Sequence, residues 1–281
     1  EKRWKIWFSY VPVSRARKDQ DFKNLLGLPI PPSLQCRAWT YLSECQKIYV
    51  DGLYARLKEQ GGETDAGMEK DAAVFVDNHP QIRATPIVVI VQAYLAMVQD
   101  APYTPGLVSI AGFILLQSPA SEEEAFWTFA SIIETYIRPH LSEERSLWLD
   151  QNTARVVTHL DGNHPELSSR LFDVLEISPS LLLRTWFTHL FVDVLPFQHV
   201  LRIWDFTLLE GPDFLIRVAF TILQSCRTTL NGVTSKDTAL AILLNPSPQL
   251  FAASPNRFIH EVSKVKIFEY DSEPDVDSDE G

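Results

Sequence analysis

The chain has 281 residues, of which 46% are hydrophobic and 22% are charged, and its formal net charge is −11 at pH 7. These proportions are typical of a folded globular protein and exclude disordered and collagen-like classes, while the length allows one large domain or two. An acidic chain without a basic stripe argues against a nucleic-acid partner, and the longest apolar run, residues 86–98, is shorter than the roughly 18 to 20 residues of a membrane span.

The negative charge is concentrated at the C-terminal end. Residues 269–281 contain seven acidic residues and no basic one, so residues 1–268 contribute only −4. This composition predicts a folded region over residues 1–268 and an acidic, disordered tail over residues 269–281. Three cysteines without a C-x-x-C spacing, at positions 36, 45 and 226, favour a reducing compartment and hence a cytoplasmic location. The first residues do not resemble a signal peptide.

Helical patterns follow one another along the chain, and no Asn-Gly or Asp-Gly turn joins alternating strands. The predicted fold class is therefore all-α. In chain order, the predicted helices cover residues 4–11, 33–46, 74–79, 86–98, 121–137, 154–160, 166–176, 179–194, 200–208 and 214–229. Residues 4–11 fit an anchoring segment as well as a short helix, and the β-branched residues of 86–98 also allow a strand, although the length of that run favours a helix. Ser121 with Glu124 three residues later fits a capping box at the start of one of these helices.

The strongest pattern lies at residues 178–211, where a short break at Pro196 separates two apolar helices. Ser178 and Pro179 predict the start of the first helix, whose apolar face extends through Leu190 and Val194. On the second helix, Arg202 and Asp205 are three residues apart and are expected to form a structural ion pair rather than a catalytic pair. The tryptophans that follow helix faces are expected in the core, namely Trp39, Trp186 and Trp204.

Motifs that would indicate an enzyme of a common class are absent from the sequence. There is no G-x-x-x-x-G-K-[ST] loop, G-x-G-x-x-G turn, H-E-x-x-H pair or G-x-S-x-G elbow. His159, Asp161 and His164 lie close together, but their spacing matches no standard metal site. No cofactor and no metal is expected.

Several segments, in one order, resemble TBC domains, the GTPase-activating modules for Rab-type small GTPases. The segments are IPPSLQCRAW at 30–39, VFVDNHP at 74–80 in place of I-x-x-D-x-x-R, YTPG at 103–106 in place of Y-x-Q-G, EAFW at 124–127, WFTHLF at 186–191 and LRIWD at 201–205. The resemblance implies an all-helical, V-shaped bundle of about 14 to 16 helices. It also implies two lobes, at about residues 1–135 and 136–268.

The same resemblance implies where a GTPase would bind. The expected groove comprises Arg37, Asp77, Asn78, His79, Pro80, Arg83, Tyr103, Thr104, Pro105 and Gly106. In an active member the arginine of the first motif neutralises transition-state charge, and the glutamine of the second orients the attacking water. Both positions are proline here, at Pro80 and Pro105, and proline supplies neither charge nor side-chain donor. Gln35 also stands where the opening motif usually has arginine.

Three hypotheses follow from these departures. The leading one is a catalytically inactive module that binds a small GTPase or another protein. The alternative is an active Rab GTPase-activating protein that uses non-standard residues, for which Arg83, Gln81, Gln99 and Arg37 are the candidates. Pro80 and Pro86 bracket Arg83 and make a regular helix around it uncertain. The third hypothesis is a structural subunit that no longer binds a GTPase.

Overall fold

The computed structural model describes residues 1–61, 65–138 and 146–266, and within these ranges it contains sixteen α-helices and no β-strand. The predicted all-α class is confirmed. The predicted acidic tail at 269–281 lies outside the described residues. The helices are α1 (Lys2–Tyr10), α2 (Val13–Ala16), α3 (Gln20–Leu26), α4 (Gln35–Leu42), α5 (Leu53–Gln60), α6 (Ala66–Asn78), α7 (Ala84–Met97), α8 (Pro105–Leu115), α9 (Glu122–Ile132), α10 (Ser146–Asn163), α11 (Pro165–Ser169), α12 (Pro179–Thr188), α13 (Phe197–Glu210), α14 (Asp213–Leu230), α15 (Lys236–Leu244) and α16 (Pro255–Lys264).

The predicted helix starts at Ser121 and Ser178 are confirmed by their hydrogen bonds. The Ser121 hydroxyl accepts from the Glu124 N–H at 3.0 Å, while the Glu124 carboxylate accepts from the preceding Ala120 N–H at 2.6 Å. The Ser178 hydroxyl accepts from the Leu181 N–H at 3.3 Å, and proline occupies the first helical position. These contacts satisfy backbone donors that have no partner within the helix.

Helix α12 ends at Thr188, so the predicted continuation of its apolar face to Val194 is wrong. Leu190 and Phe191 adopt left-handed backbone conformations, with φ of 45° and 62°, and this ends the helical hydrogen-bond pattern. Both side chains are nevertheless buried. The Leu190 carbonyl accepts from the Trp204 indole N–H at 3.1 Å, which anchors the turn to α13. The apolar pattern thus records burial beyond the point where the helix stops.

A cluster of aromatic rings joins α4, α8 and α13 in the core. The ring centroids of Trp39 and Trp204 are 4.9 Å apart, and Phe113 lies 5.6 Å from the first and 5.0 Å from the second. Trp186 is also fully buried and donates to the Leu243 carbonyl at 3.3 Å. Buried aromatic pairs of this kind add to the free energy of apolar burial and fix how neighbouring helices cross.

The carboxylate of Asp205 is completely buried and accepts three hydrogen bonds. Arg202 donates to it at 2.5 Å, Gln35 at 2.6 Å and Trp39 at 2.9 Å. Arg202 also donates to the Leu26 carbonyl at 2.6 Å and to an asparagine on α16 at 3.0 Å. The i, i+3 pair therefore connects α13 with α3, α4 and α16. Burial raises the pKa of Asp205, and Arg202 opposes that shift.

This network also shows what Gln35 does in place of the usual arginine of the opening motif. Its amide supplies a neutral donor to Asp205. The buried carboxylate then faces one positive charge, that of Arg202, and two neutral donors.

No helix in the described ranges combines the length and apolar character that crossing a bilayer requires.

Candidate functional site

Helices α6 and α8 pack side by side, and their contacts define the centre of the candidate site. The Tyr103 hydroxyl, just before α8, donates to the Asp71 carboxylate on α6 at 2.6 Å. Further along both helices, a Cβ added to Gly112 would overlap the Phe75 ring. Burial and the Asp71 hydrogen bond raise the pKa of Tyr103, so its hydroxyl remains a donor at neutral pH.

Pro105 is the first residue of α8, a position at which proline is favoured because no backbone donor is needed there. Its side chain is exposed, whereas the next residue, Gly106, is buried. Thr104 precedes the helix, and its hydroxyl is buried without a hydrogen-bond partner in the part of the chain that the structure describes. The side chain of Pro105 is therefore exposed to solvent at the start of α8, although the residue that follows it is buried.

Gly106 is required by the close approach of α8 to the end of α12. A Cβ at this position would overlap the Thr188 carbonyl, whose carbon would lie 2.9 Å away. A second contact supports the same approach, because the Ser109 hydroxyl donates to the Asp193 carboxylate at 2.6 Å. His189 lies beside that carboxylate, with Nε2 3.9 Å from Oδ2. The α12–α13 turn thus holds the start of α8 in place.

The expected groove residues at the end of α6 are separated from Pro105. Asp77, Asn78 and Pro80 are exposed, while the His79 ring packs 4.6 Å from Phe75. Asn78 is seven residues beyond the Asp71 position that meets Tyr103, or about 10 Å along the helix axis. Pro80 follows the helix end, in the turn before α7. The structure therefore does not bring Pro80 to the start of α8.

The three alternative side chains of this region lie at opposite ends of α7, with Arg83 and Gln81 at one end and Gln99 at the other. Arg83 is the N-terminal cap residue of α7 and is exposed, with Gln81 in the turn before it. Gln99 follows the C-terminal end of the same helix. Fourteen helical residues separate the two ends, which corresponds to about 21 Å. Arg83 and Gln99 therefore cannot act together on one phosphate group.

Arg37 lies in a different place from the other expected groove residues. It is exposed on α4 and lines a concavity of about 470 Å³ with Ser118 and Glu124, beyond the C-terminal end of α8. Pro105 is at the N-terminal end of that helix, whose eleven residues extend about 16 Å. The structure thus assigns Arg37 to another surface.

Sequence reasoning missed three residues of α6, namely Met68, Asp71 and Val74. They align with I-x-x-D-x-x-R six residues earlier than the motif placed at 74–80, with an identical residue only at the aspartate. In this register the apolar first residue, Met68, is buried, and the aspartate bonds to Tyr103. The motif placed at 74–80 would instead begin at Val74, which is 54% exposed. Burial of an amphipathic helix face therefore favours the earlier register.

The earlier register places Val74 at the seventh position of the motif. Val74 lies three residues, about 4.5 Å along the helix axis, beyond Asp71. Pro105 lies two residues after Tyr103, the partner of that aspartate. Val74 and Pro105 therefore each lie within three residues of a partner in the Asp71–Tyr103 hydrogen bond, and both are exposed. Neither side chain carries a charge or a donor. The carboxylates of Asp71 and Asp193 add negative charge nearby.

Within the described ranges no set of His, Cys, Asp and Glu side chains is arranged to hold a metal ion. His159 is buried against the Phe220 ring, with centroids 4.3 Å apart, and His164 packs on the same ring. Burial lowers the pKa of both histidines. These contacts account for the histidine pair as part of the packing of α10 on α14.

Comparisons with known proteins agree with this architecture. A family model described as the Rab-GTPase-TBC domain matches residues 86–230. TBC1 domain family member 10B of Mus musculus is 28% identical over 243 residues, covering 83% of this chain and 30% of that protein. The Rab GTPase-activating protein eat-17 of Caenorhabditis elegans is 25% identical over 241 residues, covering 82% of this chain and 26% of that protein. The chain thus spans less than a third of the length of these two relatives.

Two solved structures share the fold. The Chlamydomonas flagellar RabGAP TBC domain superposes with a TM-score of 0.72 at 21% identity, covering 87% of this chain and 84% of that one. The TBC domain of Skywalker/TBC1D24 from Drosophila melanogaster, crystallised with inositol(1,4,5)triphosphate, superposes with a TM-score of 0.66 at 18% identity, covering 95% and 96% of the two chains.

Proposed function

Because the chain belongs to the Rab-GTPase-TBC domain family, we propose that it is a catalytically inactive member, which binds a Rab-type small GTPase, or another partner protein, without accelerating GTP hydrolysis. One observation carries this proposal. The positions that the resemblance assigns to the two catalytic side chains hold residues without charge or donor. These are Pro105 for the glutamine, and Val74 or Pro80, depending on the register, for the arginine.

The energetic consequence of the missing arginine is large. An arginine finger accelerates hydrolysis by about 10³ to 10⁵, which corresponds to roughly 4 to 7 kcal/mol of barrier. An aliphatic side chain cannot stabilise charge that develops on a transferring phosphoryl group, and a proline cannot orient a water molecule through an amide. With both groups lost, the partner GTPase would retain close to its intrinsic rate.

The alternative, an active GTPase-activating protein with substitute residues, is less well supported. Arg83 and Gln99 lie at opposite ends of α7, and Arg37 lines another concavity. Lys70 precedes Val74 by four residues on α6 and is the cation nearest to Val74 along that helix. An ammonium lacks the planar fork with which arginine binds two phosphate oxygens at once, so it would replace the finger poorly.

The bound partner is proposed to be a Rab-type GTPase because relatives of the chain carry that activity in their names. The start of α8, held against the α12–α13 turn through Gly106 and Ser109, gives this partner a rigid surface. We place the chain at the cytoplasmic face of endomembranes, where trafficking GTPases act, and we propose that it is recruited there peripherally.

The test is a panel of Rab-type GTPases loaded with GTP and assayed for both binding and hydrolysis. We expect at least one GTPase to bind, and we expect stoichiometric protein to change its single-turnover hydrolysis rate by less than about threefold. Acceleration beyond about 100-fold, well within what a finger supplies, would refute the inactive assignment. Loss of that activity in Lys70→Ala or Arg83→Ala would then identify the substitute cation. Binding to no GTPase would favour the purely structural role.

A further inference from the structure

Helix α1 presents a face to solvent that the packing of the domain does not use. Trp4 is buried, and Trp7 and Phe8 pack their rings 5.0 Å from Phe22 and 5.3 Å from Tyr41. The opposite face carries Lys2, Ile6 and Tyr10 at spacings of four residues, so these side chains lie in one row. Ile6 is 56% exposed and Tyr10 is 82% exposed. A large aliphatic and a large aromatic side chain therefore project from the same helix face.

Three cations surround these two apolar side chains. Lys2, Arg3 and Lys5 are all exposed, and none of them forms a salt bridge with another residue in the ranges the structure covers. Residues 1–28 contain seven basic and three acidic residues, a net charge of +4, while the rest of the chain carries −15. The first helices are thus a positively charged region in an otherwise acidic chain.

We propose that the outward face of α1 docks on an anionic bilayer, with the three cations among the headgroups and with Ile6 and Tyr10 at the boundary of the acyl chains. Basic side chains near an anionic surface, combined with apolar and aromatic side chains that reach the interface, are the physical basis of peripheral membrane binding. The row projects outward from the helix, and a fluid bilayer deforms around such a projection. A folded partner protein would need a matching groove.

The distribution of charge also determines which part of the chain can contact an anionic bilayer. The surrounding negative charge is repelled by anionic lipid, so only the α1 region is attracted, and the contact fixes one orientation of the domain. Each basic side chain close to such a surface changes the partition coefficient by about fivefold. Three of them together account for about 100-fold, and the attraction weakens as added salt shortens the Debye length.

The experiment is co-sedimentation of the full 281-residue chain with vesicles of phosphatidylcholine alone or with 30% phosphatidylserine. We expect binding to the anionic vesicles only, and we expect 0.5 M NaCl to release most of the bound chain. The triple variant Lys2→Glu, Arg3→Glu, Lys5→Glu should bind at least about 30-fold more weakly. Replacing Ile6 and Tyr10 by serine should weaken binding about tenfold with no change in charge.

Matched controls separate this face from general effects of charge and hydrophobicity. The charge control is the triple variant Arg56→Glu, Arg184→Glu, Lys264→Glu, which reverses three exposed cations on other helices that also form no salt bridge within the described residues. The apolar control is Val174→Ser, Leu181→Ser, which replaces two exposed apolar residues elsewhere. Circular dichroism melting verifies that all variants are folded.

Three results would overturn the proposal. The first is equal binding to neutral and anionic vesicles, or no binding to either, which would leave this face to an acidic protein partner. The second is an equal loss in the control charge variant, which would show attraction that is not specific to α1. The third is unchanged binding after replacement of Ile6 and Tyr10, which would rule out their insertion. The vesicles carry no GTPase, so these outcomes are independent of the proposed function.

Discussion

Restoring two side chains should convert the chain into a GTPase-activating protein, provided that Val74 and Pro105 occupy the positions of the catalytic arginine and glutamine. The double variant is Val74→Arg, Pro105→Gln. Both positions are exposed, so neither new side chain has to bury a charge or a polar group. Val74 lies within α6, and arginine is a better helix former than valine. Glutamine can occupy the first position of α8, but it lacks the fixed φ of proline, and this should lower the free energy of unfolding by about 1 kcal/mol or less.

The expected acceleration of hydrolysis is a fraction of what a complete arginine finger supplies. A complete arginine finger supplies roughly 4 to 7 kcal/mol of barrier reduction. On a scaffold that was not selected for these side chains, we expect the barrier to fall by about 2 kcal/mol, which corresponds to about a 30-fold acceleration. Each single variant should be nearly inactive, because the arginine and the glutamine act on the same transition state and their effects are not additive.

The matched control is Pro80→Arg, Pro105→Gln, which tests the later register. Pro80 follows the end of α6, and that end is about 10 Å beyond the Asp71 position along the helix axis. An arginine there should leave the hydrolysis rate within about threefold of the parent chain. Single-turnover GTP hydrolysis with stoichiometric protein measures both variants against a GTPase that the parent chain binds. An inactive Val74→Arg, Pro105→Gln variant with unchanged binding would refute the earlier register, and activity in the control would establish the later one.

Three further predictions concern stability. Asp205→Ala leaves Arg202 buried without its counter-charge and should lower the free energy of unfolding by about 3 to 5 kcal/mol in urea titrations. Glu261→Ala removes an exposed ion pair and should change it by less than about 0.5 kcal/mol, so a similar loss in both variants would contradict the network. Gly106→Ala forces a methyl group against a backbone carbonyl and should cost about 1 to 3 kcal/mol; an unchanged urea midpoint would disprove that contact. Truncation after Phe268 removes an acidic tail of almost no apolar content and should leave the melting temperature unchanged. A fall of more than a few degrees would show that the tail docks on the domain.

Local signals predicted the helical class and several helix starts, because these depend on neighbouring residues alone. Ser121 and Ser178 cap their helices through hydrogen bonds that span three residues. The end of α12 was not predictable in the same way. Leu190 and Phe191 continue the apolar pattern while their backbone leaves the helix, since the turn buries the same side chains that a helix would bury. Hydrophobic periodicity reports burial, and it cannot report a change in φ.

The candidate site depended on contacts between residues distant in sequence. Residues 68–74 and 74–80 align with the same motif at its aspartate, and they are distinguished by the burial of Met68, the exposure of Val74 and the hydrogen bond from Tyr103 to Asp71. Arg37 lies in the same sequence motif as Gln35 and Trp39, which bond to Asp205, but its own side chain lines a separate concavity. Which face of a helix meets which neighbour is set by packing across the whole chain. A motif alone therefore could not choose between the two registers.

The structural and the chemical requirements of this site fall on different residues. Gly106 must be glycine because the end of α12 leaves no room for a Cβ, and Asp71 is held by Tyr103. These contacts fix the start of α8 whether or not any reaction occurs. Val74 and Pro105 instead project into solvent, where the fold places almost no demand on their identity. Under the proposed function, replacement of the catalytic side chains at such positions would remove transition-state stabilisation and leave the contacts that hold the start of α8 intact, which is the combination expected of a domain that binds a GTPase without activating it.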